Sequence, residues 1–333
     1  MRIGIAYDLK TDIATDYTSD DALEEYDSHE TVEIIADAIE SGGHRAIWLG
    51  GGNQFLDTIR QEDVDFVFNI SEGRGSFRSR EAQVPSILEM LYIPYSGSDP
   101  QTLAVCLDKP LTKKIISTEG IKTPRWLVIR DKDSHQLSSL DEFRFPLIVK
   151  PAYEGSSKGV RLTSVTHSLN QVINEIRRLL ELYHQPVMIE EFIDGDEVTV
   201  GITGNDPPEI VGVMRILPKN KTEHFVYSLE VKRDYLTLVD YECPARYSSS
   251  LLNRIEEDSL KIFRTLGCRD FTRVDFRVSA DGTPYFIEIN PLPGLGTYSD
   301  LIIMAVKMAR THQGVIVDVL DAALKRCPQW LRV

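Results

Sequence analysis

The sequence predicts an N-terminal α/β unit followed by two α+β units, and three observations support this fold class. Residues 1–105 alternate short apolar strands with helices, which is typical of a parallel sheet with helices on both faces. Strands predominate after about residue 186, and two of them flank Asp281-Gly282, a strong hairpin signal. A chain of 333 residues is long enough for two or three domains. We expect three, at residues 1–105, 106–185 and 186–333.

The first unit starts with an apolar strand at residues 2–7. An acidic polar insertion, residues 9–27, precedes a helix at about 29–41, for which Asp27 or Ser28 is the candidate N-cap. The alternation continues with strand 45–49, helix 53–61, strand 64–70, helix 81–91 and a short strand near 93–95. Parallel sheets bind ligands beyond the carboxyl ends of their strands. The polar loop 71–78 is therefore a candidate site.

The second unit carries a candidate phosphate site. Its predicted elements are helix 109–119, strands 125–129, 146–150 and 159–164, and helix 168–183. Strand 146–150 ends at Lys150, and the loop that follows is rich in glycine and serine, including Ser156 and Ser157. Small residues let consecutive backbone N–H groups turn toward one anion. This pattern favours a phosphate-binding flap between antiparallel strands, and the alternative is an ordinary polar hairpin loop.

The third unit is predicted to contain strands 187–193, 197–203 and 209–215, the hairpin, and helices at about 250–266 and 300–310. A turn centred on Asp281-Gly282 puts Asp275 opposite Glu288 and Arg273 opposite Asn290. Directly opposed side chains have Cβ atoms about 5 Å apart, and like charges there destabilise the pair. Oxygen ligands of this kind suit Mg²⁺ or Mn²⁺.

The two faces of the hairpin have different expected roles. The alternative to a metal site is a solvated face whose carboxylates pair with Arg273 and Arg277. The opposite face is wholly apolar and is expected to pack on a core; it comprises Val274, Phe276, Val278, Tyr285, Ile287 and Ile289.

Further charged residues could reach the same nucleotide. Lys109 opens a helix, and Lys232 lies in a polar stretch, so either could contact a phosphate. Glu190 and Glu197 flank a strand–turn–strand segment and could accept hydrogen bonds from an adenine amino group and ribose hydroxyls. The alternative for all four is a solvated surface position.

The bulk composition excludes some classes of partner. The net charge of −14 argues against nucleic acid or an anionic membrane surface. The four cysteines form no C-x-x-C pair and are expected to be reduced thiols. No apolar run approaches the ~18 residues of a membrane span, and the N-terminus lacks a signal-peptide pattern. We expect a cytoplasmic protein.

Taken in order, these segments resemble the ATP-grasp superfamily, and most closely the D-alanine–D-alanine ligase family. The resemblance covers nearly the whole chain. The motifs that carry it are Leu107-Asp108-Lys109, Val149-Lys150-Pro151, Glu154-Gly155-Ser156-Ser157, Glu190-Glu191-Phe192-Ile193, Arg273-Val274-Asp275, Glu288-Ile289-Asn290-Pro291-Leu292-Pro293-Gly294-Leu295 and Ile93-Pro94-Tyr95-Ser96-Gly97-Ser98.

The resemblance implies an ATP-grasp fold that joins a carboxylate to an amine through an acyl phosphate, with ATP and Mg²⁺ (or Mn²⁺). It implies small amino-acid-like substrates and a homodimer. For the nucleotide, the resemblance implies phosphate contacts by Lys109, Lys150 and Lys232, and nucleoside binding by Glu190, Glu191, Ile193 and Glu197. The flap residues Glu154, Ser156 and Ser157 would close over the phosphates, with Ser156 at the reacting groups. Asp275, Glu288 and Asn290 would bind the metal, and Arg273 and the Gly294 N–H would stabilise the tetrahedral intermediate.

The chain departs from the family at positions expected to contact substrates. Glu72 replaces a histidine, Arg233 an aromatic residue, and Ser299-Asp300 a Ser-Leu pair. The acidic motif that binds the first substrate's amine is replaced by the insertion, where Glu25, Asp27 or Ser28 could serve.

These departures predict a ligase whose substrates are not two D-alanines. A carboxylate at Asp300 would repel a substrate carboxylate, and Glu72 and Asp300 could attract a cationic substrate unless an arginine lies beside them. Two alternatives remain: a genuine D-alanine–D-alanine ligase, and a nucleotide-binding sensor without turnover.

Overall fold

The N-terminal part of the chain forms a parallel sheet, as predicted. The computed structural model describes residues 1–13, 19–131 and 135–327, so part of the predicted 9–27 insertion, residues 14–18, lies outside the described residues. Strands β1 (Arg2–Ala6), β2 (Arg45–Gly50) and β3 (Phe66–Asn69) pair in the order β2-β1-β3. Near residues 93–95 a single bridge from Tyr95 to Val67 replaces the expected strand.

Helices α1 (His29–Ser41), α2 (Gly52–Gln61) and α3 (Gln83–Met90) flank this sheet. Ser28 is the N-cap of α1, because its hydroxyl accepts a hydrogen bond from the Thr31 N–H. The Asp27 carboxylate is therefore not used for capping. A short 3₁₀ turn, Arg80–Ala82, leads into α3 and puts a buried arginine at the carboxyl edge of the sheet.

The central unit is an antiparallel sheet. Strands β4 (Trp126–Ile129), β5 (Leu147–Pro151), β6 (Val165–Thr166) and β7 (Val187–Glu191) pair in the order β4-β7-β5-β6. Helix α6 (Leu169–Tyr183) packs against it. The predicted domain boundary at 185/186 stays a prediction. Because β7 pairs with both β4 and β5, the hydrogen bonding favours a boundary nearer residue 193.

The predicted strand 159–164 is wrong. Leu162–Ser164 is a 3₁₀ turn, and β6 begins only at Val165. The Arg161 N–H donates to the Ser164 hydroxyl at 3.0 Å, which closes the turn locally, and Leu162 is 62% exposed. A strand through these residues would need cross-strand partners that this turn replaces.

The C-terminal sheet contains five antiparallel strands. These are β8 (Gly195–Thr203), β9 (Glu209–Pro218), β10 (Val239–Glu242), β11 (Phe271–Ser279) and β12 (Pro284–Asn290), in the order β10-β9-β8-β11-β12. Helix α9 (Ser249–Leu266) covers one face. Helices α10 (Asp300–Lys307) and α11 (His312–Arg326) cover the other, where they share a core with α1. That shared core ties the C-terminal unit to the N-terminal one.

The β11–β12 hairpin has the predicted register at its functional end only. Arg273 pairs with Asn290, and Asp275 with Glu288, as expected. The register then shifts so that Phe276 faces Phe286, which leaves Ile287 as the extra residue of a bulge. The expected inclusion of Tyr285 and Ile287 in the buried face is therefore wrong. Phe286 is fully buried instead.

Several elements were not predicted. They are helices α4 (Pro100–Leu107), α7 (Leu229–Arg233), α8 (Tyr235–Leu238) and α11, strand β10, and 3₁₀ turns at Lys10–Asp12 and His135–Glu142. Helix α4 does carry a start signal, since Asp99 caps it and Pro100 occupies its first turn. The predicted helix at 109–119 is α5 (Lys109–Thr118). Within the described ranges, no helix has the length and apolarity needed to cross a membrane.

Candidate active site

The opposed carboxylates of β11 and β12 each face a cation. Arg273 Nε lies 3.1 Å from Asp275 Oδ1, and its Nη2 lies 3.0 Å from Oδ2. On the neighbouring strand, Glu288 Oε2 lies 3.4 Å from Lys109 Nζ, at the start of α5. Neither carboxylate lies on a freely solvated face, which was the alternative to a binding site, and Arg277 pairs elsewhere, with Glu197.

The two carboxylates differ in electrostatic environment. Burial raises the pKa of Asp275, and the attraction of Arg273 does not offset this burial together with the repulsion from Glu288. Burial alone would also raise the pKa of Glu288, but the surrounding cations outweigh it and hold that pKa well below its usual range; they are Lys109, Lys150, Lys232 and Arg273. At Asp275, therefore, Arg273 does not fully offset the cost of burial and the repulsion from Glu288.

The donor atoms fit a hard divalent cation shared with a ligand. Asp275, Glu288 and Asn290 supply only oxygen donors, and the Asn290 side-chain oxygen accepts a hydrogen bond from Leu292 N–H at 3.1 Å. Among residues 1–13, 19–131 and 135–327, no three His, Cys, Asp or Glu side chains are grouped to hold a metal. Two carboxylates and an amide suit Mg²⁺, which usually takes its remaining ligands from phosphate and water.

Lys150 and Glu190 form a buried ion pair inside the central sheet. Lys150 Nζ lies 2.5 Å from Glu190 Oε2, and Lys113 Nζ lies 2.7 Å from Oε1. Burial would lower the pKa of Lys150, but Glu190 and Glu288 reverse the shift and raise it. Lysine 150 is therefore charged at neutral pH. Both carboxylate oxygens of Glu190 already face lysines. The predicted contact of Glu190 with adenine stays a prediction.

The residues predicted to bind the nucleoside lie where the central and C-terminal antiparallel sheets meet. Glu197 Oε2 lies 2.6 Å from Arg277 Nη1, and the Ile193 carbonyl accepts from Arg277 Nε at 2.5 Å. Glu191 accepts from the Arg144 N–H at 3.1 Å and is half-buried. Burial raises the pKa of Glu197 despite Arg277. Their nucleoside roles remain predictions.

The predicted phosphate flap turns sharply and makes hydrogen bonds to two other segments of the chain. Ser156 and Ser157 have positive φ angles of 46° and 60°, which let the loop turn sharply. The Ser157 hydroxyl donates to the Tyr227 carbonyl at 3.0 Å. Lys109 Nζ donates to the backbone carbonyl of Glu154. The flap therefore connects the start of α5 with the segment before α7.

Arg80 joins the flap to the N-terminal unit. Its guanidinium is 2% exposed and lies 2.6 Å from Glu25 Oε1 and 3.2 Å from Glu154 Oε2. Lys158 Nζ bridges the same two carboxylates at 3.2 and 2.6 Å. The Gly155 N–H also donates to Glu25 at 2.6 Å. Four charged side chains thus fix the flap against the insertion and the start of α3.

Arg273 is also held by a substrate position predicted from the sequence. Its Nη1 lies 3.3 Å from Asp300 Oδ2, and Asp300 Oδ1 accepts from the Tyr227 hydroxyl at 3.1 Å. An arginine therefore lies beside Asp300, the arrangement expected to cancel its attraction for a cationic substrate. Ser299 is the N-cap of α10 without a side-chain capping bond. A Cβ added at Gly294 would lie 3.0 Å from the Ser299 hydroxyl, so a side chain there would crowd the site.

These groups line three adjoining cavities. The largest of the three, about 140 Å³, brings together the predicted substrate positions Glu72, Arg233, Ser299 and Asp300 with Ser156, Lys232, Arg273, Asn290 and Gly294. Smaller ones of about 30 and 60 Å³ continue it toward Lys109 and Glu197. A larger cavity of about 580 Å³ lies elsewhere, beside α11, and contains none of these residues.

Sequence reasoning missed several residues of this site. Lys113 follows Lys109 by four residues, the spacing that puts both on one face of α5, and this signal was available. Lys158 was visible in the flap but had no assigned role. Arg80 carried no local signal, because its partners lie 55 and 74 residues away in the sequence.

Comparison with known proteins agrees with this geometry. The family described as "D-ala D-ala ligase C-terminus" matches residues 115–321. D-alanine–D-alanine ligase A of Bacillus cereus is 33% identical over 277 residues, covering 82% of this chain and 85% of that protein. An uncharacterized Sinorhizobium fredii protein, y4sG, is 31% identical over 305 residues, covering 88% and 87%. The ATP complex of the Bacillus anthracis D-alanine–D-alanine ligase superimposes with a TM-score of 0.77 at 24% identity, over 99% of both chains.

A parallel sheet followed by two antiparallel sheets that enclose lysines and a carboxylate pair defines an ATP-grasp protein, as the sequence predicted. The family match covers more than half of the chain, and the Bacillus cereus relative exceeds 30% identity over most of it. The chain belongs to the D-alanine–D-alanine ligase family.

Proposed function

We propose that this protein is an ADP-forming ligase that joins the carboxylate of one amino acid or related acid to the amine of a second substrate. The observation that carries the proposal is the convergence of four cations on Glu288, which lowers its pKa; they are Lys109, Lys150, Lys232 and Arg273. Such an arrangement neutralises a polyphosphate beside an anionic nucleophile. The Bacillus anthracis relative, whose structure contains ATP, supports ATP as the phosphate donor.

In the proposed first step, the acid's carboxylate oxygen attacks the γ-phosphorus of ATP, and the bond to the bridging oxygen of ADP breaks. Lys150, held in position by Glu190, and Lys109 offset the repulsion between the two anions. A Mg²⁺ ion bound by Asp275, Glu288 and Asn290 would supply further charge neutralisation on the phosphate oxygens. The products of this step are ADP and an acyl phosphate.

In the second step, the amine nitrogen attacks the acyl carbon, and inorganic phosphate leaves. Arg273 stabilises the oxyanion of the tetrahedral intermediate, and the Gly294 N–H is the proposed second donor. The flap from Glu154 to Ser157 excludes water that would hydrolyse the acyl phosphate. Its attachment to Arg80 and Glu25 supports a closed position.

Asp27 is the proposed partner of the acid substrate's own amine. Of the three candidates in the insertion, Glu25 already pairs with Arg80 and Lys158, and the Ser28 hydroxyl caps α1. The Asp27 carboxylate is 7% exposed, lines the 140 Å³ cavity and has no ion pair or side-chain hydrogen bond among the described residues. A buried carboxylate without a cation is suited to an ammonium ligand.

The test is a panel of D- and L-amino acids and small acids, each offered with amines and with amino acids as acceptors. We expect ADP formation that depends on both an acid and an amine, with a product mass equal to the sum of the two substrates less water. Failure of every pair to stimulate ADP formation, together with no effect of Asp275→Asn on residual ATP hydrolysis, would leave the nucleotide-sensor alternative.

The same panel addresses substrate identity. All four departures from the family contribute to one cavity, which supports substrates other than two D-alanines; its lining includes Asp27 of the insertion, Glu72, Arg233 and Asp300. Production of D-alanyl-D-alanine from D-alanine and ATP at a normal enzymatic rate would refute this part of the proposal. A cytoplasmic location, a homodimer and the metal roles of Asp275, Glu288 and Asn290 stay predictions.

A further inference from the structure

Three of the five N–H donors of the Arg273 guanidinium already face carboxylates of the protein. Nε and Nη2 contact Asp275 at 3.1 and 3.0 Å, and Nη1 contacts Asp300 at 3.3 Å. Arginine presents its donors in a fixed planar fork, so it cannot reorient one edge independently. Arg273 is 9% exposed, which leaves little room for a third carboxylate.

Asp300 is itself fixed rather than a mobile side chain. The Tyr227 hydroxyl donates to Oδ1 at 3.1 Å, and the Tyr241 hydroxyl lies 2.6 Å from that of Tyr227. Asp300 is also the first residue of α10, so its charge offsets the positive end of that helix. Both features that could attract a carboxylate at this point, the arginine and the helix N-terminus, are thus already neutralised by Asp300.

The other charges on the cavity do not replace them. Arg233 pairs with Glu24 at 2.6 Å and with Asp20 at 3.1 Å. Lys232 has no ion pair within the described part of the chain, but it acts on Glu288 and is assigned to phosphate in the proposed mechanism. Glu72 lines the same cavity, where burial raises its pKa well above the usual range. Both arginines on this side of the cavity therefore already face carboxylates of the protein.

We propose that the amine substrate of this ligase is a primary amine without a carboxylate, because Asp300 already offsets the two positive features that could attract one, Arg273 and the N-terminus of α10. An α-amino acid carries its carboxylate two bonds from the attacking nitrogen, so it would bring that charge into the cavity beside Asp300. A neutral or cationic amine meets no such repulsion. This inference rests on the proposed ligase function.

The test compares alanine with alaninamide as acceptors, in both enantiomers, with whichever acid the panel identifies. The two probes have nearly the same size and differ in the charge of one group. We expect kcat/KM for alaninamide to exceed that for alanine by at least about tenfold, a factor that corresponds to one pKa unit of differential interaction. Equal or better use of alanine would overturn the inference and leave the ligase function intact.

Asp300→Asn tests the assignment of the repulsion to one side chain. The substitution preserves shape and removes the charge, so the ratio of kcat/KM for alanine to that for alaninamide should rise at least about tenfold. Because the ratio is compared between wild type and variant, the intrinsic reactivities of the two amines cancel. Asp318→Asn, on exposed α11, is the matched control and should leave the ratio unchanged. An unchanged ratio in Asp300→Asn would overturn the inference.

A binding measurement separates this inference from turnover. Thermal unfolding is followed with Mg²⁺, a non-hydrolysable ATP analogue and a saturating concentration of the acid substrate present, so that the acid site is filled, and alanine or alaninamide is then added. We expect alaninamide to raise the unfolding temperature more than alanine does, and Asp300→Asn to reverse the order. An equal or larger shift from alanine in the wild type would refute the inference even if no ligation were detected.

Discussion

Asp275 lies directly opposite Glu288 across the β11–β12 hairpin, yet their pKa values shift in opposite directions. Burial raises the pKa of Asp275, whereas four cations lower that of Glu288. A divalent cation between them would remove the remaining repulsion. The charge balance of the pair is therefore suited to the divalent cation of the proposed mechanism.

Asp275→Asn should abolish the proposed ligase activity without unfolding the protein. We expect ADP formation to fall at least about 100-fold, because the substitution removes a proposed metal ligand and leaves Arg273 without its main partner. Mg·ATP should raise the unfolding temperature of the wild type and much less that of the variant. Asp281→Asn, in the exposed turn of the same hairpin, is the control and should retain both responses. Equal loss in the two variants would contradict the assignment.

The same hairpin indicates how far sequence reasoning reaches. The Asp281-Gly282 turn and the alternation of residue types predicted the pairing of Asp275 with Glu288, because both signals are local. The bulge at Ile287 was not predictable from alternation, since a bulge shifts the pattern by one residue and brings Phe286 into the core. The 3₁₀ turn at Leu162–Ser164 was missed for a similar reason: a side-chain bond to Ser164 decides its geometry.

The charged contacts of the flap depend on tertiary structure, so the sequence predicted the loop but not its partners. Lys109, Lys150 and Glu288 were predicted from order and resemblance, and the structure brings them together. Arg80 and Glu25 approach Glu154 only after the N-terminal unit packs against the central sheet. No local propensity reports such a contact.

Arg80→Met should destabilise the protein strongly. The substitution leaves Glu25 and Glu154 buried with only Lys158 between them, and breaking a buried ion-pair network in this way costs about 3–5 kcal/mol. Urea unfolding measures the loss. Arg78→Met, on the exposed side of the same segment, should change stability by less than about 0.5 kcal/mol. A similar loss in both variants would show that Arg80 has no special role.

Acid should weaken the ion pairs that Glu25 forms with Arg80 and Lys158. Burial alone would raise the pKa of Glu25, but Arg80 and Lys158 outweigh it and lower the pKa from 4.5 to about 2. A depressed pKa contributes stability that is fully present above pH 4.5 and is lost as the pH falls toward 2. Glu25→Gln should therefore lose less stability than wild type over that range, as measured by thermal unfolding at each pH.

Asp27→Asn should stabilise the protein, and the gain over wild type should grow as the pH rises. Burial, with a smaller contribution from Asp8, raises the pKa of Asp27 from 3.8 to about 7, so the folded state holds the proton more tightly than the unfolded chain. The penalty is absent below pH 3.8 and grows until the pH exceeds 7. We expect the variant to gain on the order of 2–4 kcal/mol over wild type at pH 8 and almost nothing at pH 4.

This gain separates a binding role for Asp27 from a structural one. A structural carboxylate stabilises the fold, whereas a carboxylate kept for an ammonium ligand destabilises it until the ligand binds. The variant should therefore also show a raised KM for the acid substrate, with little change in the KM for ATP. Glu40→Gln, an exposed substitution at the far end of α1, is the control and should alter neither stability nor KM. A less stable Asp27→Asn protein at pH 8 would mean that Asp27 has a partner in the fold and is not the ligand of the substrate amine.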